Sequence, residues 1–139
     1  MDLDWVSQTA SPLKAIIAGG SSCPWIAPDK IDTPLGFESL KKVKTMFGSA
    51  GTIILNDSVC VVDAMWNILR FYAHESCGQC TPCRVGTAKA LALMQKGKWD
   101  QPLLGELSQA MMDASICGLG QAAPNPALTV MKYFPQEVG

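Results

Sequence analysis

Three closely spaced cysteines, followed by a fourth much farther along the chain, constrain this fold more than any other feature. Cys77, Cys80 and Cys83, hereafter the cysteine triplet, lie in the run HESCGQCTPCRVGT, and Cys117 lies in SICGLGQ. Thiolates at positions i, i+3 and i+6 suit three corners of an iron–sulfur cluster whose fourth corner is bound by a remote cysteine. The pattern therefore requires a fold that returns Cys117 to the triplet.

Three other uses of these cysteines remain open. A structural zinc ion usually binds two separated C-x-x-C knuckles rather than three overlapping thiols. A disulfide framework is typical of secreted chains, but the opening MDLDWVSQTA has no secretory signal pattern and no obvious transit peptide, which predicts a reducing, cytoplasmic location. A redox disulfide between Cys80 and Cys83 usually opens a helix in a βαβ setting, which the sequence does not indicate.

Charge and hydropathy argue against two classes of partner. The formal net charge of −1 provides no electrostatic basis for binding nucleic acid. The longest apolar stretch, VCVVDAMWNILRFYA, contains Asp63, Asn67 and Arg70 and is shorter than a membrane span, so direct membrane insertion is not expected. The hydrophobic content of 48% is high for a small domain and indicates surface that a partner covers.

The hydrophobic periodicity changes near Ser58 and predicts an α+β chain with two domains. After an N-terminal tail at 1–12, a small domain at 13–57 contains predicted strands at 13–19 and 51–56 and a short amphipathic helix at 37–46. The second domain, at 58–139, has four predicted helices.

The first predicted helix covers 58–75, and the second runs from an N-cap at Thr81 to Gly97. Asp100 is predicted to cap the third helix, and Asn125 opens the fourth. Short links between them favour an up-down four-helix bundle. Two helices and a turn separate Cys83 from Cys117, so this topology returns Cys117 to the triplet at one end of the bundle, under a loop at 117–124. Glycines at positions 78, 118 and 120 are predicted to let backbone approach the site closely.

A family resemblance is carried by these same residues. The run FYAHESCGQCTPCRVGT, then SICGLGQAAPNP and YFPQEV, closely resembles the C-terminal part of the flavin-bearing, NADH-oxidising subunit of respiratory complex I and its relatives. Those relatives include diaphorase subunits of NAD-linked hydrogenases and NAD-dependent formate dehydrogenases. The stretches LKAIIAGGSSCPWI and TPLGFESLKKVKTMFGSAGTIIL resemble the soluble-ligand-binding β-grasp domain that precedes the cluster domain in this family.

The resemblance implies that Cys77, Cys80, Cys83 and Cys117 bind a [4Fe–4S] cluster. It implies an electron-transfer subunit or fragment of an NADH-linked oxidoreductase, which relays single electrons from a flavin to downstream iron–sulfur centres. FMN and NAD are expected only in a partner chain or a missing domain, because the glycine-rich loops of the family's flavin domain are not in this sequence. The chain alone is therefore expected to hold no complete active site, and its expected partners are a flavin- and NADH-binding chain and other iron–sulfur subunits.

Details of the match favour the hydrogenase and formate dehydrogenase branches, since Val85 stands where the complex I branch often has glutamate, and CGLGQAAPNP is closer to the other branches. The alternative function is not electron transfer: the chain would be a non-redox docking module whose four-cysteine site holds zinc or is empty.

Four further residues carry reactive groups, of which only His74 and Arg84 are candidates for chemistry. His74, the only histidine, adjoins the triplet and would either tune the centre or simply hydrogen-bond at the end of a helix. Arg84 would either offset the charge of a thiolate-bound cluster or form a surface salt bridge. Cys23 and Cys60 lie in apolar sequence surroundings and are predicted to be small buried residues without chemistry.

Overall fold

The structure, a computed structural model, describes residues 12–94 and 98–139. It is a helix-rich chain with a small two-stranded sheet. The boundary between two compact units falls after Cys60. The N-terminal tail predicted at 1–12 lies almost entirely outside the described residues, as does Gly97, the predicted end of the second helix.

The first unit is built on an antiparallel strand pair. Strand β1 (Leu13–Ile17) pairs with β2 (Ile53–Asn56), with Ile16 opposite Ile54. Both strands are shorter than the segments predicted for them. Ile16 also exchanges backbone hydrogen bonds with Ile26, at 3.0 and 2.7 Å, so the chain that follows β1 folds back along it.

One short helix completes the core of the first unit. Helix α1 (Phe37–Lys42) ends earlier than predicted, because the chain turns at Lys44, which has a positive φ of 60°. Its inward residue, Leu40, is fully buried. Leu40 packs into a cluster that contains Ile16, Ala18 and Ile26, with Leu13, Ile31, Leu35, Phe47 and Ile54 at its edge.

The second unit is entirely helical within the residues described. Its helices are α2 (Val61–Glu75), α3 (Thr81–Met94), α4 (Gln101–Ala114), α5 (Gly118–Ala122), α6 (Asn125–Tyr133) and α7 (Pro135–Val138). The four predicted helices correspond to α2, α3, α4 and α6. Asp100 caps α4 as predicted: its side chain accepts a hydrogen bond from the Leu103 N–H at 3.1 Å.

Contacts between the helices arrange the second unit around a shared core. Helix α3 packs against both α2 and α4, and α6 contacts α2 and α4 in turn. The short helix α5 packs against α3 and α4. A core cluster joins Tyr72 of α2, Met111 of α4 and Ala123, which follows α5. This packing holds α5, and therefore the chain beside Cys117, against the beginning of α3.

Within the described ranges, no helix combines the length and the apolar character that a membrane crossing requires.

Candidate metal centre

All four cysteines singled out from the sequence border one small cavity in the second unit. The cavity has a volume of about 110 Å³ and is lined by Glu75, Ser76, Cys77, Gln79, Cys80, Cys83, Cys117 and Leu119. It lies where α2 ends, α3 begins and α5 begins. The fold therefore brings Cys117 to the triplet, although more than thirty residues separate Cys117 from Cys83.

The backbone after α4 delivers Cys117 to this cavity. Ser115 is the C-cap of helix α4, and its N–H donates to the Met111 carbonyl at 3.1 Å. The Ser115 carbonyl in turn accepts from the side-chain amide of Gln121 at 2.9 Å. The Ile116 backbone N–H hydrogen-bonds to the Cys80 thiol. These contacts fix the segment at 115–117 directly against the triplet.

The segment after Cys117 is helical, whereas the sequence predicted a loop at 117–124. Cys117 keeps an extended backbone, with φ −131° and ψ 168°, at the N-cap position of α5. Gly120 explains the close packing of α5: a Cβ there would lie 2.4 Å from Ser115 Oγ and 2.8 Å from the Cys83 Cβ. At Gly118, by contrast, an added Cβ would meet no described atom within 4 Å. Of these two glycines, only Gly120 is required by close packing.

A second set of hydrogen bonds shapes the loop between Cys77 and Cys80. Gly78 adopts a φ of +77°, which favours glycine. Its carbonyl accepts from the Arg84 guanidinium, which also donates to Thr81 Oγ1 at 3.3 Å. Arg84 was predicted to offset the charge of the cluster or to form a salt bridge. In the described residues Arg84 bridges the cysteine loop to the start of α3, and the offset of cluster charge stays a prediction.

Hydrogen-bond donors around the Cys80 sulfur favour its thiolate. The pKa of Cys80 is lowered by hydrogen bonds from the backbone of Ile116 and Cys83, against a smaller opposing effect of burial. The Cys83 sulfur lies 3.3 Å from Ser76 Oγ. Thiolates are the form that binds metals. The donor arrangement therefore suits a metal centre better than an inert buried thiol.

The thiols differ in their exposure. Cys83 is buried and Cys80 half-buried, while Cys77 and Cys117 are exposed. Beside Cys117, the Ile116 side chain is 79% exposed. In the ranges that the structure describes, no three His, Cys, Asp or Glu side chains converge on one point where a single metal ion would bind. The four sulfurs border a shared space without meeting at its centre.

His74, Cys23 and Cys60 lie outside the lining of this cavity. His74 is exposed and its Nδ1 lies 2.9 Å from Glu75 Oε1. Cys23 is buried, as predicted, and burial raises the pKa of its thiol. Cys60 is exposed, so the prediction that it is buried was wrong. Val61, the first residue of α2, points into the core, and this turn directs Cys60 outward.

The sequence did not single out Ser76, Ser115 or Gln121. Ser76 Oγ lies 3.3 Å from the Cys83 sulfur, and the Gln121 amide holds the backbone carbonyl of Ser115. The two serines stand one and two residues before a cysteine of the predicted set. That proximity is a usable signal, because a hydroxyl so placed can reach a sulfur or a backbone group of the same turn. Gln121 carried no such signal, because its contact depends on how α5 packs.

Comparison with known proteins identifies related sequences and structures. Residues 63–139 match the family described as the NADH-ubiquinone oxidoreductase-F iron-sulfur binding region. The chain is 36% identical to the NADP-reducing hydrogenase subunit HndC of Solidesulfovibrio fructosivorans, over 89% of this chain and 26% of that protein. It is also 36% identical to an NADH-quinone oxidoreductase subunit of Rhizobium meliloti (strain 1021), over 90% of this chain and 31% of that protein.

A solved structure shares the fold. The crystal structure of an NAD+-reducing [NiFe]-hydrogenase in the H2-reduced state superposes with a TM-score of 0.85 at 28% identity, over 99% of this chain and 25% of that one. The chain thus spans about a quarter to a third of the length of the relatives it matches.

Proposed function

Because the chain belongs to the family of NADH-ubiquinone oxidoreductase-F iron-sulfur binding regions, we propose that it relays single electrons through one [4Fe–4S] cluster. The proposed ligands are Cys77, Cys80, Cys83 and Cys117. The observation that carries this proposal is that all four sulfurs border the same cavity. When bound, such a cluster supplies outer-sphere one-electron transfer, with a potential tuned by its surroundings.

The arrangement of the sulfurs supports a cluster over a zinc ion. Zinc binds four ligands around one centre, at about 2.3 Å for each sulfur. In a cluster each thiolate binds a different iron atom, so the sulfurs surround a volume instead of meeting at a point. The described residues offer a cavity lined by all four cysteines, three of which have the i, i+3 and i+6 spacing of cluster ligands.

Several side chains would hold the thiolates in place and moderate their charge. Arg84 fixes the Gly78 carbonyl and adds a positive charge beside the ligand loop. The backbone N–H of Ile116 hydrogen-bonds to the Cys80 sulfur. Gln121 orients the turn before Cys117 through the Ser115 carbonyl. Together these contacts would exclude alternative ligand geometries and stabilise negative charge on sulfur.

The electron donor and acceptor would lie outside this chain. We infer that FMN and NAD bind to a partner chain or to a further domain, and that other iron–sulfur subunits receive the electrons. The two related proteins are subunits of a hydrogenase and of an NADH-quinone oxidoreductase, and this chain matches a minor part of each. The exposed Ile116 beside the exposed Cys117 supports a covered surface at this end of the second unit.

The finer architecture belongs to the same proposal. We propose a β-grasp domain at 13–57, after a tail at 1–12, and an up-down four-helix domain at 58–139. The antiparallel pair β1 and β2 with α1 supports the first domain. The contacts of α2 with α3, of α3 with α4, and of α6 with both α2 and α4 support the second.

Anaerobic purification of the chain tests the proposal directly. We expect a brown protein with about four iron atoms per chain, as a [4Fe–4S] cluster requires. Reduction with dithionite should bleach its visible absorption and produce an electron paramagnetic resonance signal. A colourless protein with one zinc ion per chain would instead support the docking module.

A further inference from the structure

The Ser115 hydroxyl is buried at the metal centre without a well-formed hydrogen bond. Ser115 is only 6% exposed, and its Oγ has no hydrogen-bond partner of good geometry among the described residues. This oxygen nevertheless lies beside the Cys80 thiol. Most buried hydroxyls form hydrogen bonds, so an unpaired hydroxyl at a proposed cofactor site indicates a partner that binds there.

Backbone hydrogen bonds hold Ser115 in place without involving its hydroxyl. The Ser115 N–H donates to the Met111 carbonyl, and the Ser115 carbonyl accepts from Gln121. The residue ends the helical conformation with ψ 140°, which turns the chain toward Cys117. Gly120 closes another side, because a Cβ there would lie 2.4 Å from Ser115 Oγ. The same added Cβ would lie 2.8 Å from the Cys83 Cβ, so the Ser115 hydroxyl lies among the proposed ligands.

We propose that the Ser115 hydroxyl donates a hydrogen bond to the Cys80 thiolate and thereby raises the reduction potential of the centre. This inference rests on the proposed function. A thiol is a weak acceptor, whereas a metal-bound thiolate carries negative charge and accepts readily. A donor to ligand sulfur stabilises the extra electron of the reduced state, so reduction becomes easier. Ser115 is therefore a positioning and tuning residue rather than a ligand.

A second serine on the same helix provides a matched control. Ser108 is also 6% exposed, but its hydroxyl donates to the Leu104 carbonyl at 2.6 Å within α4. Removal of either hydroxyl deletes one buried oxygen from α4 or its C-cap. Only the removal at Ser115 deletes a donor beside Cys80.

The test compares Ser115→Ala, Ser115→Thr and Ser108→Ala in the purified chain. Iron content is measured first, followed by a redox titration monitored by electron paramagnetic resonance. Ser115→Ala should keep its iron while its midpoint potential falls. The expected fall corresponds to a two- to ten-fold smaller ratio of reduced to oxidised centre, or roughly 20–60 mV for a one-electron couple. Ser115→Thr, which keeps a hydroxyl, should restore much of the potential, and Ser108→Ala should leave it unchanged.

A spectroscopic measurement isolates the hydrogen bond itself. After exchange into D2O, the reduced centre should show one deuteron coupling beyond those of the backbone N–H donors, and this coupling should be lost in Ser115→Ala and kept in Ser108→Ala. An unchanged potential in iron-replete Ser115→Ala would overturn the proposal. Loss of iron from Ser115→Ala alone would also overturn it, since the side chain would then be needed to assemble the site. A wild-type chain without iron contradicts the proposed function instead, before any potential is measured.

Discussion

At Cys117 an exposed thiol lies at the N-cap of α5, far along the chain from the triplet. If it is the fourth ligand, Cys117→Ser should lose most of its iron or retain an altered cluster, because a serine hydroxyl is a harder and more basic ligand than a thiolate. Iron analysis and electron paramagnetic resonance of the reduced protein measure the effect.

Cys60→Ser is the matched control for this substitution. Cys60 is also exposed but does not line the cavity. Its replacement should leave the iron content and the spectrum unchanged. Full iron content and an unaltered spectrum in Cys117→Ser would contradict the ligand assignment.

Arg84 allows a second prediction for a single residue. Its guanidinium joins the Gly78 carbonyl to Thr81, so Arg84→Ala should loosen the loop that carries the triplet. We expect the variant to lose its cluster several-fold faster in air, as followed by the decay of visible absorption. Lys89→Ala, which removes an exposed positive charge from the same helix away from the cavity, should decay at the wild-type rate. Equal decay rates for the two variants would show that the hydrogen bonds of Arg84 do not protect the site.

Among the helices, the contact between α3 and α4 depends on a glycine. A Cβ at Gly86 of α3 would lie 2.5 Å from Met111 Cγ of α4. Gly86→Ala should gain about 1 kcal/mol from helix propensity but lose about 1–3 kcal/mol from overpacking. We therefore expect a net loss of stability, measured by chemical denaturation of the chain.

Gly105, within α4, provides the control for that measurement. An added Cβ there meets no described atom within 4 Å, so Gly105→Ala should stabilise the chain by about 0.5–1 kcal/mol. The two substitutions add the same methyl group to neighbouring helices. Equal stability changes would mean that α3 and α4 are not as tightly packed at Gly86 as the structure indicates.

For the whole molecule, the decisive fact is that the chain spans 26–31% of the length of two of its relatives. We predict that the isolated chain, with its cluster, is bleached by dithionite but not by NADH. NADH should bleach the cluster only after a flavin-bearing partner is added, because the proposed nucleotide and flavin sites lie outside this chain. Anaerobic absorption spectroscopy follows both reactions. Rapid bleaching by NADH alone would require a nucleotide site within these residues.

The sequence by itself determined the features that depend on neighbouring residues. Asp100 was correctly predicted as a helix cap because capping depends on a side chain and the backbone three residues later. The family was correctly predicted from the cysteine motif and the runs around it. The existence of β1, β2 and the four longer helices followed from apolar periodicity, although β1, β2 and α1 proved shorter than predicted.

Only the tertiary structure decided which side chains meet at the centre. A five-residue helix with two glycines has little intrinsic stability, so nothing local predicts α5; it forms where Gly120 fits against Ser115 and Cys83. The exposure of Cys60 likewise depends on how α2 enters its core, although its neighbours in sequence are apolar. Helical hydrogen bonds and helix caps join residues three or four positions apart, whereas packing joins residues from distant parts of the chain. Packing is what places Ser115 beside Cys80.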